Sequence, residues 1–302
     1  MKIKALKRLI CGLSAFVVCF SLLTFNAQAS IKTDTIVNKG FKLKTVIVDP
    51  GHGGDHPSGT RGHFSLGTHG EYSTERGVTL ALAFKLQAAI EKELNGVKVV
   101  LTRNSDQDVD WQRRADIANQ NKGDVFISLH CNALPDRIIR ERVGTKHHKP
   151  VYKTVSVPNH SGRGVLILVY RNGRGKEEEN AVKNTQIEEE AQSDPSFDPN
   201  DPVNTILIND YTRKFRKKSI TLATLINNEF VQVDGRRSDG VIEQGVLVLC
   251  HSAMPAVLVE TGFLDNPEDE AYLNSEKGQD EVVASIVRAL IKYRDTLEQV
   301  TE

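Results

Sequence analysis

The chain has 302 residues, 39% of them hydrophobic and 26% charged, and its 39 basic and 39 acidic side chains cancel to a formal net charge of zero. That length suits one large α/β domain or two small ones, and the composition is that of an ordinary globule. Such a balance gives no electrostatic reason to expect nucleic acid or an acidic membrane as the main partner, so both classes are set aside.

The first 29 residues stand apart. "MKIKALKR" is basic, "LICGLSAFVVCFSLLTF" is apolar and uncharged, and "NAQAS" offers small residues at Ala27 and Ala29. This layout predicts a secretory signal peptide over residues 1–29, cleaved after Ala29. The apolar stretch approaches the ~17 residues that a membrane span needs, so an uncleaved anchor is the alternative. Val18 before Cys19 argues against a lipoprotein. The mature protein, residues 30–302, is then expected in the periplasm or cell envelope, with no stable membrane insertion once the leader is gone.

Beyond the leader, apolar β-branched runs mark strands at 45–49 ("TVIVD"), 97–102, 124–130 ("DVFISLH"), 164–170, 245–250 ("GVLVLC") and 256–260 ("AVLVE"). The runs are nearly continuous, as in strands covered on both faces. Between them, Val78, Leu82, Leu86, Ile90 and Leu94 recur at helical spacing before Gly96. Shorter or later helices fall at 111–120, 212–230 and 278–297. The alternation predicts an α/β fold: one doubly wound, mainly parallel sheet of about six strands flanked by helices. Residues 135–161, basic and irregular, and 176–202, an acidic helix running into a loop, read as insertions on that single domain. Cys131 and Cys250, the two cysteines outside the leader, could pair in an oxidising compartment or remain buried thiols at strand ends.

In an open parallel sheet, ligands bind beyond the carboxyl ends of the strands. His52 follows the first strand, His130 ends the third, Glu260 ends the last, and Glu75 opens the helix after the first strand, so all four converge on one edge. Gly51, Gly53 and Gly54 let the first loop turn sharply and leave room for a substrate near the backbone. Two histidines and a carboxylate with an open position make a catalytic zinc site of the metallopeptidase kind. His56, His63 and His69 in the same loop are substitute ligands, and Glu71 is the rival of Glu75. His147, His148 and His160 read as solvated, and His251 as a cleft residue. No phosphate-binding Gly-Lys-Ser/Thr loop and no G-x-S-x-G elbow occurs.

The segments "VIVDPGHGG", "ERGVTLALAFKL", "VLTRNSD", "RADIANQNKGDVFISLHCNA", "GVLILVY" and "MPAVLVETGFLDNPEDEAYLN" resemble the zinc-dependent N-acetylmuramoyl-L-alanine amidases of bacterial cell walls, the amidase 3 family, in order and over nearly the whole mature chain. The resemblance implies one Zn2+ per chain held by His52, Glu75 and His130, with Glu260 as the catalytic carboxylate. It further implies hydrolysis of the amide between N-acetylmuramic acid and L-alanine in peptidoglycan, for remodelling or daughter-cell separation. Some members carry an inhibitory helix moved by an activator protein, and the acidic segment 176–190 sits at the corresponding place. Arg103 and Asn132 are possible substrate contacts, a salt bridge and a turn being the alternatives. A zinc exopeptidase acting on stem peptides and a non-catalytic wall-binding module are the rival functions.

Overall fold

A computed structural model of the chain describes residues 42–54, 66–171, 175–187 and 201–299. The expected leader, His56, His63 and residues 188–200 lie outside the described residues. No described helix is long and apolar enough to cross a membrane.

Eight strands and seven α-helices follow one another along the described chain: β1 Thr45–Pro50, α1 Glu75–Glu93, β2 Lys98–Leu101, α2 Trp111–Gln120, β3 Val125–Asn132, β4 Arg137–Lys146, β5 Lys149–Val157, β6 Val165–Tyr170, α3 Gly175–Val182, α4 Pro202–Asn228, β7 Ser238–Gln244, α5 Leu247–Cys250, β8 Ala256–Phe263, α6 Pro267–Leu273 and α7 Glu276–Gln299. Six strands form one sheet in the order β2-β1-β3-β8-β6-β7. The β1–β2, β1–β3, β3–β8 and β6–β7 pairs are parallel, and only β6–β8 is antiparallel. The expected mainly parallel, doubly wound α/β sheet is therefore present.

Successive residues of a strand face opposite sides of the sheet, and the core divides accordingly. Val46, Val48, Ile127, Val257 and Val259 pack with α1, α4 and α7 through Leu82, Leu86, Leu222, Ile226, Ile286 and Leu290. Ile47, Phe126, Leu168 and Leu258 face the other way, onto Ala118 of α2 and Val248 and Leu249 of α5. Burial of each such Leu or Ile contributes about 1.5–3 kcal/mol. With both faces covered, the loops after β1, β3 and β8 meet at the sheet's carboxyl edge.

Two elements differ from expectation. Residues 245–250 hold the one-turn helix α5, not a strand, and the sixth strand is the preceding β7. A short apolar run cannot by periodicity be told from a buried helical turn. β7 has no apolar run to mark it because it is an edge strand, polar and half-exposed, with Gly240 at φ 89°. Residues 135–161 are not irregular: β4 and β5 pair antiparallel from Arg137–Val157 to Lys146–Lys149. His147 and His148, at φ 50° and 61°, turn the hairpin in the left-handed geometry usually left to Asn-Gly.

Candidate functional site

β1 delivers the chain to the open edge, and Gly51 extends its ladder by donating to the Leu129 carbonyl oxygen at 2.9 Å. A Cβ at Gly51 would lie 2.5 Å from the His130 imidazole. The space that glycine leaves is thus filled by a site side chain, not by substrate. His52 follows at φ 60°, a conformation that a non-glycine residue holds only when its surroundings enforce it.

Two buried arginines enforce it. Arg103 donates to the carbonyls of Pro50 and Gly51, each at 2.9 Å, and Arg114 to those of Pro50 and His52, each at 2.6 Å. Arg103 is 1% exposed, and its remaining donors go to Arg76 and Ser105 carbonyls, so it holds the loop and does not reach a substrate. The Asn132 side-chain oxygen accepts from the Ala133 amide at 2.8 Å, which is the turn alternative. Arg114 is anchored by Asp49, which also accepts from Thr102 and Ser128. Burial would raise the Asp49 pKa, but Arg114's charge and these hydrogen bonds outweigh it and hold the carboxyl below its ordinary range.

At the start of α1, Glu75 turns into the same space. Its Oε1 accepts from the Cys131 amide and lies 2.9 Å from His130 Nδ1; its Oε2 accepts from the Thr68 amide and lies 3.3 Å from His52 Nε2. The two imidazoles meet edge to face, 4.9 Å apart. A Cβ at Gly67 would lie 2.5 Å from Glu75 Oε2, so this close approach requires glycine as well. Burial opposes the Glu75 charge, but hydrogen bonds from both histidines dominate and its pKa lies well below normal. Burial likewise lowers His130, yet the Glu75 contact prevails and raises it.

Glu260 of β8 is the register partner of His130 across the β3–β8 ladder. Burial, with Glu75 adding to it against the opposing His130, pushes its carboxyl up to about 7. Its Oε2 is buried without a hydrogen-bond partner among the described residues. A cavity of about 250 Å³ opens beside His52 and His130, walled by Trp111, Val246, Leu247, Val248 and Leu258.

Ligand atoms of His52, Glu75 and His130 all lie within 4.8 Å of one another. Neutral imidazole and carboxylate are donors that suit a borderline divalent cation. The neighbouring unbonded Glu260 oxygen fits a centre that keeps one side open. The other histidines are elsewhere: His69 is exposed, His147 and His148 cap the hairpin, His160 bonds the Asp265 carbonyl, and His251 stacks on Trp111 at 4.7 Å. Glu71 is held away, its amide donating to Glu270 at 2.9 Å.

A family profile described as N-acetylmuramoyl-L-alanine amidase matches residues 46–292. The chain belongs to this family. The amidase AmiC of Escherichia coli O6:H1 is 28% identical over 250 residues, 82% of this chain and 52% of AmiC, so the chain spans about half the length of that relative. AmiA of Salmonella typhimurium is 24% identical over 273 residues, 90% of this chain and 82% of AmiA. Amidase AmiC2 of Nostoc punctiforme shares the fold at a TM-score of 0.51, with 23% identity over 84% of this chain and 98% of that one. The CwlD amidase of Clostridioides difficile does so at 0.54, with 18% identity over 84% and 99%. The amidase family is metal-dependent, and His52, Glu75 and His130 are this chain's candidate metal-binding residues.

Three further residues support the candidate centre. Asp49 and Arg114 hold the loop, and Glu270 holds the approach to α1. Its Oε1 accepts from the Tyr72 and Ser73 amides and the Ser73 hydroxyl, and its Oε2 from the Glu71 amide. Burial raises the Glu270 pKa, but these donors lower it further than burial raises it. In Glu270→Gln one oxygen becomes an NH2 group facing a donor, so a loss of about 1–3 kcal/mol is expected in urea denaturation at neutral pH. Because the folded pKa is depressed, the carboxylate's contribution is complete above 4.5 and is lost as pH falls through the lower folded value. The gap between wild type and variant should therefore narrow on acidification; a gap that widens would sink this assignment.

Both cysteines are buried thiols, and no disulfide joins them. Cys131 contacts the Thr261 hydroxyl at 3.6 Å, and burial pushes its pKa well up.

Proposed function

We propose that the chain is an exported zinc amidase that hydrolyses the bond between N-acetylmuramic acid and L-alanine in peptidoglycan. In this reading His52, Glu75 and His130 hold one Zn2+ and Glu260 carries the proton. The observation that bears most weight is the Glu260–His130 register pair, which sets a buried, unbonded carboxylate oxygen beside the candidate ligands. Residues 1–29 serve as the cleaved signal peptide and residues 30–302 as the catalytic domain, working in the periplasm or cell envelope.

Zinc in a two-imidazole, one-carboxylate site supplies Lewis-acid polarisation of the amide carbonyl and of a water. The protein does the rest. Glu260 Oε2 accepts a proton as the water oxygen attacks the carbonyl carbon, then returns it to the alanine nitrogen as the C–N bond breaks. Burial and the neighbouring Glu75 raise this carboxyl, which favours its holding the proton between the two halves of that transfer. The apolar walls at Leu247, Val248 and Leu258 limit competing water. Gly51 and Gly67 let His130 and Glu75 approach, while Arg103 and Arg114 fix the carbonyls of Pro50, Gly51 and His52.

The CwlD neighbour is seen in complex with the GerS lipoprotein. For this chain a partner protein acting on the acidic segment that begins at α3 belongs to the same proposal.

Digestion of purified sacculi tests the reaction. Intact glycan strands with new L-alanine amino termini are expected, with release stopped by a chelator and restored by Zn2+. Cleavage within or at the end of the stem peptide would indicate an exopeptidase, and binding without release a wall-binding module; either result overturns the proposal.

A further inference from the structure

We propose that Cys250, His251 and Glu177 form a second metal site, one that carries a thiolate ligand and ties α3 to the wall of the active cavity. The three ligand atoms lie within 4.8 Å of one another. Cys250 Sγ is 3.5 Å from Glu177 Oε2, and His251 Nε2 is 4.0 Å from the same oxygen. Tetrahedral zinc with a sulfur at about 2.3 Å and nitrogen or oxygen at about 2.0–2.2 Å needs ligand separations of roughly 3.3–3.6 Å. The three donors thus need to close by no more than about an ångström, within reach of side-chain rotation at Glu177 and His251.

The site is set up by packing. Ala181 and Val182 of α3 bury against Ile208 of α4 and Ala253, which fixes the helix that carries Glu177. Asn119 of α2 pins the turn after α5 from both ends, donating to the His251 carbonyl and accepting from the Ala253 amide, each at 2.9 Å. Cys250 is fully buried, but Glu177 and His251 have side chains 38% and 19% exposed and line a polar cleft with Asp116 and Asn180. That cleft opens onto two of the three donors, Glu177 and His251. The Cys250 thiol also donates to the Leu247 carbonyl at 3.1 Å, a bond that metal binding would exchange for one to the cation.

The chemistry selects Zn2+, or Co2+ and Cd2+ in its place, over Mg2+ or Ca2+, which prefer oxygen alone. Binding releases the Cys250 thiol proton, and the three side chains then share one cation. Two consequences reach the active cavity. His251 stacks on Trp111, and Leu247 and Val248 of α5 line the same cavity. Occupancy would hold that wall and α3 together.

The two sites differ in sulfur, which gives a readout independent of hydrolysis. Titrating the purified chain with Co2+ should show two equivalents, one producing a sulfur-to-cobalt charge-transfer absorption in the near ultraviolet. Cys250→Ala should lose that absorption and one equivalent while keeping sacculus hydrolysis. His130→Ala should lose the other equivalent and keep the absorption. Glu177→Gln, which leaves the core untouched, should weaken Co2+ binding at the sulfur site at least tenfold. Absence of the absorption in wild type, its survival in Cys250→Ala, or unchanged binding in Glu177→Gln would overturn the proposal and leave the amidase reading where it stands.

Discussion

Glu260→Gln should cut sacculus hydrolysis by about 10²–10⁴-fold while the protein remains folded and keeps its metal. The substitution is nearly isosteric, and Oε2 has no hydrogen-bond partner among the described residues to lose. Gln replaces a buried carboxyl whose charged form is already disfavoured, so folding has little reason to suffer. What disappears is an oxygen able to take and return a proton beside the candidate ligands. His130→Ala should behave differently, losing metal and activity together, because it removes one of three donors. Rates of amino-terminus release, read beside elemental analysis, separate the two results. Activity in Glu260→Gln within tenfold of wild type would remove Glu260 from the proton transfer. A pH profile adds a second check. Glu260 must be ionised to accept the proton, so the rate should rise with pH along its acidic limb. Positive charge nearby lowers a carboxyl's pKa, which sets that limb below about 7.

How much of this was legible in the chain depends on how each residue announces itself. β1, β3 and β8 could be read because strands buried on both faces are written as unbroken apolar runs, and an ionisable residue closing such a run stands out. His130 and Glu260 are both of that kind, and the structure makes them register partners. Asp49, at the end of "TVIVD", carries the same signal. Its role is support, because Thr102, Ser128 and Arg114 occupy its oxygens. Glu71 and Glu75 could not be separated along the chain, since both precede or open a helix. The difference is tertiary: Glu270 captures the Glu71–Ser73 amides and turns Glu75 inward. The strand expected at 245–250 belongs at β7, with α5 in its place, for a related reason. A polar edge strand lacks the apolar signature, and four apolar residues in a helical turn, three of them buried, mimic it.

Asp49→Ala should cost about 3–5 kcal/mol, a large share of the 5–15 kcal/mol typical of a folded domain. Asp49 is 1% exposed and accepts from Thr102 Oγ1 at 2.5 Å, Ser128 Oγ at 2.6 Å and Arg114 Nη1 at 2.7 Å. Removing the carboxylate strands a buried guanidinium without its counter-charge, and that uncompensated charge dominates the loss. Asp49→Asn keeps the volume and some hydrogen bonds but not the charge, and should fall between wild type and Ala. The double change Asp49→Ala with Arg114→Leu removes both charges and should recover part of the stability in a denaturant cycle. It should not recover the metal centre. Arg114 also donates to the His52 carbonyl at 2.6 Å and helps hold that residue at φ 60°, so its loss frees the loop that carries one imidazole. Stability regained with metal affinity still weakened is the expected pattern. If the double variant instead binds metal as wild type does, the Asp49–Arg114 pair stabilises the domain alone, and the positioning of His52 must come from Arg103 and its grip on the Gly51 carbonyl.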